Sequence, residues 1–318
     1  MADPWQGVGR VFFVRVEPKA SAIHHPQAAT AARQFYAGTT RQKIGECLPG
    51  RQWATIEPYI YPKGLAPLPG NCMQAIDIEN AIVLPWGLGS RSPHDLFSVC
   101  AEIINCPGDI VLDASNLSYI DPLGMATLRA LFENQLVQKR VSMQFLSRDL
   151  TSYLARMDFF KDIDVEGVDL SGVGRRNDRS TSLVEITKIS EHHQAEAAAS
   201  RLARAITGRL TQSDPDAPVD EHTGRNEFDS YRGPLEYSLK ELLENSLTHA
   251  RREGRGDAAV WLTCQFYPKL NLVRMAIVDN GCGFLATLRN HPELHDRTHL
   301  HAIEAALKPR VSLSLIHI

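Results

Sequence analysis

No stretch of this 318-residue chain carries an uninterrupted apolar run long enough to cross a bilayer. The N-terminus also lacks the charge-then-apolar pattern of a secretory leader. Neither a membrane partner nor export is expected, and the reading is a cytoplasmic protein. There is no excess of positive charge either. The 34 Lys and Arg against 37 Asp and Glu leave a formal net charge of -3, which gives no reason to expect nucleic-acid binding, since that draws on a basic surface. Cysteine is sparse: Cys47, Cys72, Cys100, Cys106, Cys264 and Cys282 form no CxxC pair, so reduced and mostly inert thiols are expected rather than a disulfide scaffold. What remains, 43% hydrophobic and 22% charged residues, is the composition of a soluble protein. The length allows about two domains with substantial cores.

Residues 1–74 are the least informative and stay unassigned. VFFVRV reads as a strand and AATAARQFYA as a short helix, while PYIYPKGLAPLPGN has prolines too closely spaced for a regular helix. His24 and His25 are adjacent but have no convincing set of metal partners. From Ile76 the pattern sharpens into β–α alternation: IDIENAIVLPW, PHDLFSVCAEIIN, DIVLDAS, DPLGMATLRALFENQLVQK, VSMQFL and LTSYLARMDFF. A mixed α/β domain over 77–168 follows. Asp121 is placed to cap the helix that Pro122 enters, with Leu128, Leu131, Phe132 and Leu136 along one apolar face. Residues 169–181, DLSGVGRRNDRST, read as a linker. Over 182–318 the chain offers a strand in LVEITKI and a helix from Ala195 to Leu210. A loop in TQSDPDAPVDEHTGRN then leads to the most informative stretch.

That stretch is Pro234 to Gly283. PLEYSLKELLENSLTHARREG is helix-like, with Pro234 expected at the first helical position and Gly254 beyond the basic end at Arg251 and Arg252, which are expected to be solvated charges. Leu235, Leu239, Leu242, Leu243 and Ser246 can face a core. Glu241, Asn245 and His249 recur every fourth residue and so stack along one side, about 6 Å apart. A carboxylate and a carboxamide projecting together can orient water, hold the water shell of Mg²⁺, or both. Two strand-like runs, AAVWLTCQFY and NLVRMAIVD, lead into DNGCGF.

ELLENSLTHA resembles the N-box, and DNGCGF the first glycine box, of the gyrase, Hsp90, histidine kinase and MutL ATPase superfamily. The resemblance implies that Glu241 activates or orients water or a hydroxyl and that Asn245 ligates Mg²⁺. It implies that Asp279 accepts a hydrogen bond from the adenine amino group and that Gly281 and Gly283 turn the chain beneath the nucleotide. Residues near Ile277 and Phe284 are then expected to help form the cavity for the ring. His249 braces this site, contacts phosphate, or is simply a polar residue near a helix end. ATP and Mg²⁺ are the expected cofactors. Complete members carry a second glycine-rich phosphate loop, and this chain reaches KPRVSLSLIHI without one. The expectation is an ATPase domain incomplete at its C-terminus, inactive as this chain, its sheet left with an uncovered apolar face or edge. His291, His295, His299 and His301 have no arrangement suited to zinc, and HLHAIEAALK reads instead as a helix with Leu300, Ile303, Ala306 and Leu307 as its apolar side.

LDASNLSYIDPLGMATLRALFE is similar to the central segment of a STAS domain, the fold of bacterial anti-anti-sigma proteins. In phosphorylated members a Ser or Thr precedes the glycine at the helix start. Leu123 stands there, before Gly124, and has no oxygen to accept a phosphoryl group. Ser115 and Ser118 are near only in sequence. The fold expected is α/β (α+β): a STAS-like mixed-sheet domain followed by an incomplete two-layer α/β sandwich of the histidine-kinase-like ATPase type. The function expected is an ATP-binding signalling or partner-switch regulator, with an adenine nucleotide and a regulatory protein as partners. ATP hydrolysis and protein-serine phosphorylation by the complete parent stay open. The alternative is a non-catalytic protein-binding scaffold, or an ATP sensor with a degenerate ATPase fold.

Overall fold

The computed structural model describes residues 11–16 and 81–306, apart from residues 175–176, 181, 211–218, 223, 225–226, 252–253, 271, 293 and 295–296. The expected helix in AATAARQFYA and the pair His24–His25 lie outside the described residues. The chain forms a mixed α/β structure with one antiparallel and two parallel sheets. In chain order the elements of the first part are β1 (Val11–Val16), β2 (Ile82–Val83), β3 (Gly87–Leu88), α1 (Pro93–Asn105), β4 (Ile110–Asp113), β5 (Tyr119–Ile120), α2 (Pro122–Gln135), β6 (Val141–Gln144) and α3 (Arg148–Arg156). The second part holds β7 (Leu183–Ile189), α4 (His193–Leu210), α5 (Glu227–Ala250), β8 (Val260–Tyr267), β9 (Leu272–Asp279), α6 (Gly283–Leu288) and α7 (His299–Ala306).

In the middle of the chain, β2, β4 and β6 make a parallel sheet in that order, and β3 pairs in parallel with β5. Within the described part of IDIENAIVLPW the strand is β2, and β3 follows directly after Trp86. Farther on, β7, β8 and β9 pair antiparallel in sequence, and β1 adds to β9 in the order β1-β9-β8-β7. Val11 to Val16 run opposite Val278 to Val273, so a strand from the N-terminal segment closes the edge that β9 would otherwise present.

Alternation along β8 and β9 points successive side chains to opposite faces. Val260, Leu262 and Cys264 with Val273, Met275 and Ile277 meet Ala198, Leu202, Ala205 and Ile206 of α4 and Leu239, Leu243 and Leu247 of α5. Trp261, Ala276 and Val278 point the other way, into a core shared with β4, β6, α1 and α2. The expectation of an uncovered face is therefore corrected: α2 packs on β8 and β9 and covers it. This position explains why every residue from Pro122 to Phe132 is buried. Leu128, Leu131 and Phe132 do face a core, but α2 lies between two sheets and has no solvent side over that length.

Two helices depart from their sequence reading. α5 begins at Glu227, so Pro234 lies inside it rather than at its first position. In α7, Ala302 and Ala305 are buried whereas Leu300 and Ile303 are 62% and 40% exposed, so the apolar side expected at Leu300 and Ile303 faces outward. The small cluster of Leu288, Leu294, Ala302 and Ala305, joined by Phe284, selects the alanine side instead.

Candidate functional site

The fourfold spacing in α5 places the proposed residues along one side of the helix. Leu239, Leu243, Ser246, Leu247 and Ala250 are buried, while Glu241 and Asn245 are exposed and His249 is half-buried. From Glu241 to His249 the rise along the axis is about 12 Å. The Ser246 hydroxyl turns back to donate to the Leu242 carbonyl at 2.8 Å.

Asp279 ends β9 and is 1% exposed. Its Oδ1 accepts the Gly281 N–H at 3.0 Å, which folds the chain back at once. The turn then presses against the last residue of α5. A Cβ on Gly281 would lie 2.3 Å from the Ala250 Cα, an approach only glycine allows. The Cys282 N–H donates to the Ala250 carbonyl at 3.3 Å, and its thiol donates to the His249 carbonyl at 3.3 Å. Gly283 has φ +74, the left-handed region that suits glycine, with open space where a side chain would stand. It also opens α6, where Thr287 donates its hydroxyl to the Gly283 carbonyl at 2.7 Å.

The fold thus gathers His249, Asp279, Gly281 and Gly283 at the C-terminal end of α5, with Asn245 and Glu241 one and two turns back on the same helix side. Ile277 does not join them, being fully buried in the core beneath α4 and α5. Phe284 packs towards α7. Arg251 is also not a simple solvated charge: its guanidinium donates to the Ala258 carbonyl at 3.1 Å and to the Ser190 carbonyl, and lies 3.7 Å from the Glu191 carboxylate. It clasps the end of α5 to the start of α4. Among the described residues, no group of three or more His, Cys, Asp or Glu side chains is placed to hold a metal ion. No described helix is long and apolar enough to cross a membrane.

Reading the sequence passes over Asn280, within the glycine motif itself. It is 6% exposed, its Oδ1 accepts the Ala259 N–H at 2.9 Å and its Nδ2 donates to Asn134 Oδ1 of α2 at 2.8 Å. Arg255 donates to its carbonyl at 2.7 Å. The turn is pinned to the first half of the chain through a partner 146 residues away, which no local pattern announces.

A second polar centre lies at the N-terminus of α2. Asp121 is completely buried and caps the helix by accepting the Leu123 and Gly124 N–H groups at 3.0 and 3.2 Å. Its other oxygen accepts from the Ser90 N–H at 2.9 Å, the Ser90 hydroxyl at 2.6 Å and Arg274 Nη1 at 3.1 Å. Arg274 also donates to the Tyr119 hydroxyl and lies over the Tyr267 ring at 5.4 Å. Leu123 is buried beside this network, while Ser115 and Ser118 are exposed. Tyr153 donates to Gln265 Oε1 at 2.5 Å, and burial raises the phenols of Tyr153 and Tyr267 well above the ordinary tyrosine value. Burial likewise pushes the Cys100 and Cys264 thiols up to about 12, which keeps both protonated and unreactive.

Comparison with protein-family models, with curated proteins and with solved structures yields no match to this chain. Function has to be argued from the residues and their geometry.

Proposed function

We propose that the chain is an ATP-binding signalling regulator whose nucleotide site lies along the exposed side of α5 and the turn after β9. The observation that carries this reading is the junction at Ala250: a buried aspartate and a close-packed glycine turn meet the helix that bears Glu241, Asn245 and His249. Asp279 supplies a fixed carboxylate for an adenine amino group, the polar anchor a purine pocket needs. The donor set suits Mg²⁺, a hard cation that takes few protein oxygens and completes its shell with water and phosphate. Asn245 would offer one such oxygen, and the metal when bound supplies charge neutralisation for the phosphates. Glu241 is the candidate base that orients and deprotonates an attacking water or hydroxyl. His249, tied by its carbonyl to the Cys282 thiol, braces the turn.

The STAS-like likeness of residues 77–168 adds an interaction role in which the acceptor position is an apolar, buried Leu123. That burial favours a second reading, a protein-binding scaffold or ATP sensor without turnover. Calorimetric titration with ATP and ADP in Mg²⁺ tests the first reading. Saturable binding is expected, weakened in Asp279→Asn because an acceptor-only group becomes a mixed donor and acceptor. Equal affinity of wild type and variant removes Asp279 from recognition, and no binding by the wild type leaves the scaffold reading.

A further inference from the structure

The geometry points to a binding site for a phosphomonoester dianion in an arginine-lined cleft between α3, the segment after it, β7 and α4. The cleft has a volume of about 240 Å³ and receives Arg156, Arg179, Arg201 and Arg204. These come from three separate segments: the end of α3, the approach to β7, and two positions one turn apart on α4. Among the described residues, the acids that line the cleft with them are Glu185 and Asp178. Glu185 is consumed by Arg156 at 2.5 Å, with Arg201 at 3.6 Å. Burial alone would raise its carboxyl, but the Arg156 hydrogen bond and the Arg156 and Arg201 charges outweigh it and hold the group below its ordinary value. Asp178 is held low by hydrogen bonds from the Ser180 N–H and hydroxyl, and to a smaller extent by the charges of Arg156 and Arg204. Among the described residues, neither Arg179 nor Arg204 forms an ion pair. Among the described lining residues, four guanidinium groups against two carboxylates leave an excess of two positive charges in one concavity.

The ligand class follows from charge and size. Two uncompensated charges match a dianion, and planar guanidinium forks match phosphate oxygens in a way that lysine would not. The volume falls below the roughly 300–1,000 Å³ of pockets for drug-sized ligands, so the cleft fits a phosphoryl group with a short tail rather than a whole nucleotide. Leu183 and Val184 of β7 also line the cleft. The shared chemistry is a phosphomonoester, borne by a small molecule or by a phosphorylated side chain. The site stands apart from the turn at Ala250 and does not depend on the nucleotide reading.

The test is calorimetric titration of the full chain with phenyl phosphate at constant ionic strength set by chloride. Saturable one-to-one binding is expected, weakened about a hundredfold or more in Arg179→Ala/Arg204→Ala, since two charge-assisted hydrogen-bond donors are lost. Both side chains are exposed, so the double variant folds. Lys269→Ala/Arg289→Ala removes equal charge elsewhere on the exposed surface and should keep wild-type affinity. Parallel titrations with phosphoserine and a phosphoserine pentapeptide identify the source: tighter peptide binding assigns a phosphorylated chain, and equal binding assigns a small molecule. Asp279→Asn should leave all of these affinities unchanged, which separates this site from the nucleotide site. No saturable binding, full affinity in the cleft variant, or equal loss in the control variant overturns the proposal.

Discussion

At Glu241 and Asn245 two side chains share one exposed helix side but are proposed for different work. Both are exposed, so replacing either should shift stability by no more than about 0.5 kcal/mol, and effects on nucleotide chemistry can be read without a folding correction. Asn245→Ala removes the proposed metal ligand and should weaken Mg²⁺-dependent ATP binding by about tenfold or more. Glu241→Gln keeps the size of the side chain but removes its charge and most of its proton-accepting ability. It should leave ATP affinity nearly unchanged and slow any release or transfer of the γ-phosphate by about 10²-fold. Equilibrium binding and γ-phosphate release measured on one preparation decide both points. Unchanged turnover in Glu241→Gln removes it as the base.

Among the elements, the junction between α5 and the turn after β9 makes the sharpest structural demand. Gly281→Ala would put a methyl against backbone atoms of Ala250 at 2.3 and 2.6 Å, and backbone cannot yield as a flexible side chain can. The cost should reach the upper end of the overpacking range, about 3 kcal/mol. Gly283→Ala meets no atom within 4 Å and carries only the penalty of its φ of +74, about 1 kcal/mol. Urea unfolding of both variants checks the order; a costlier Gly283→Ala would mean that close approach is not what the turn requires. The same elements show how far local pattern reaches. LVEITKI and PHDLFSVCAEIIN carry their periodicity in their own residues, and both elements form at those bounds. In α5 the 3.6-residue spacing made Leu239, Leu243 and Ser246 legible as core positions, whereas Leu235 and Leu242 are only partly buried and the buried Leu247 and Ala250 were not anticipated. The start of α5 was not legible, since Pro234 signals a first turn while the helix extends seven residues before it. Nor was the outward placement of Leu300 and Ile303, because the side that α7 buries is chosen by the Leu288 and Leu294 cluster. Asn280 was invisible for a related reason: its partner Asn134 lies far away in sequence.

Across the whole molecule, the first and second halves meet through a core and a buried ion pair, features that depend on contacts more than 100 residues apart. β1 against β9 and α2 against β8 and β9 are such contacts, and neither leaves a mark in composition or spacing. Register supplies the ion pair: Arg274 shares the α2-facing side of β9 with Ala276 and Val278, and so reaches the capping carboxylate of Asp121. The two partners are not equally replaceable. Without Arg274, Asp121 still accepts hydrogen bonds from Ser90, Leu123 and Gly124. Without Asp121, the Arg274 side chain, only 4% exposed, keeps its bond to the Tyr119 hydroxyl but its guanidinium loses its counter-charge. Asp121→Ala should therefore cost about 3–5 kcal/mol for the stranded charge and about 1 kcal/mol for the lost cap. Arg274→Met, which fills much of the same space with apolar atoms, should cost less. In the double variant the stranded charge is gone, so its loss should fall short of the sum of the single losses by about 1–3 kcal/mol. Urea unfolding followed by far-ultraviolet circular dichroism and by tryptophan fluorescence measures all three. Trp261 lies in the shared core, with its indole N–H donating to Glu133 of α2 at 3.4 Å, so in a background where Trp5, Trp53 and Trp86 are replaced by Phe its emission reports on the junction while dichroism reports on the helices. Coincident transitions are expected because one core spans both halves. Additive losses, or a fluorescence transition that precedes the loss of helix, would show that the halves are stable separately and that Arg274 and Asp121 are merely adjacent.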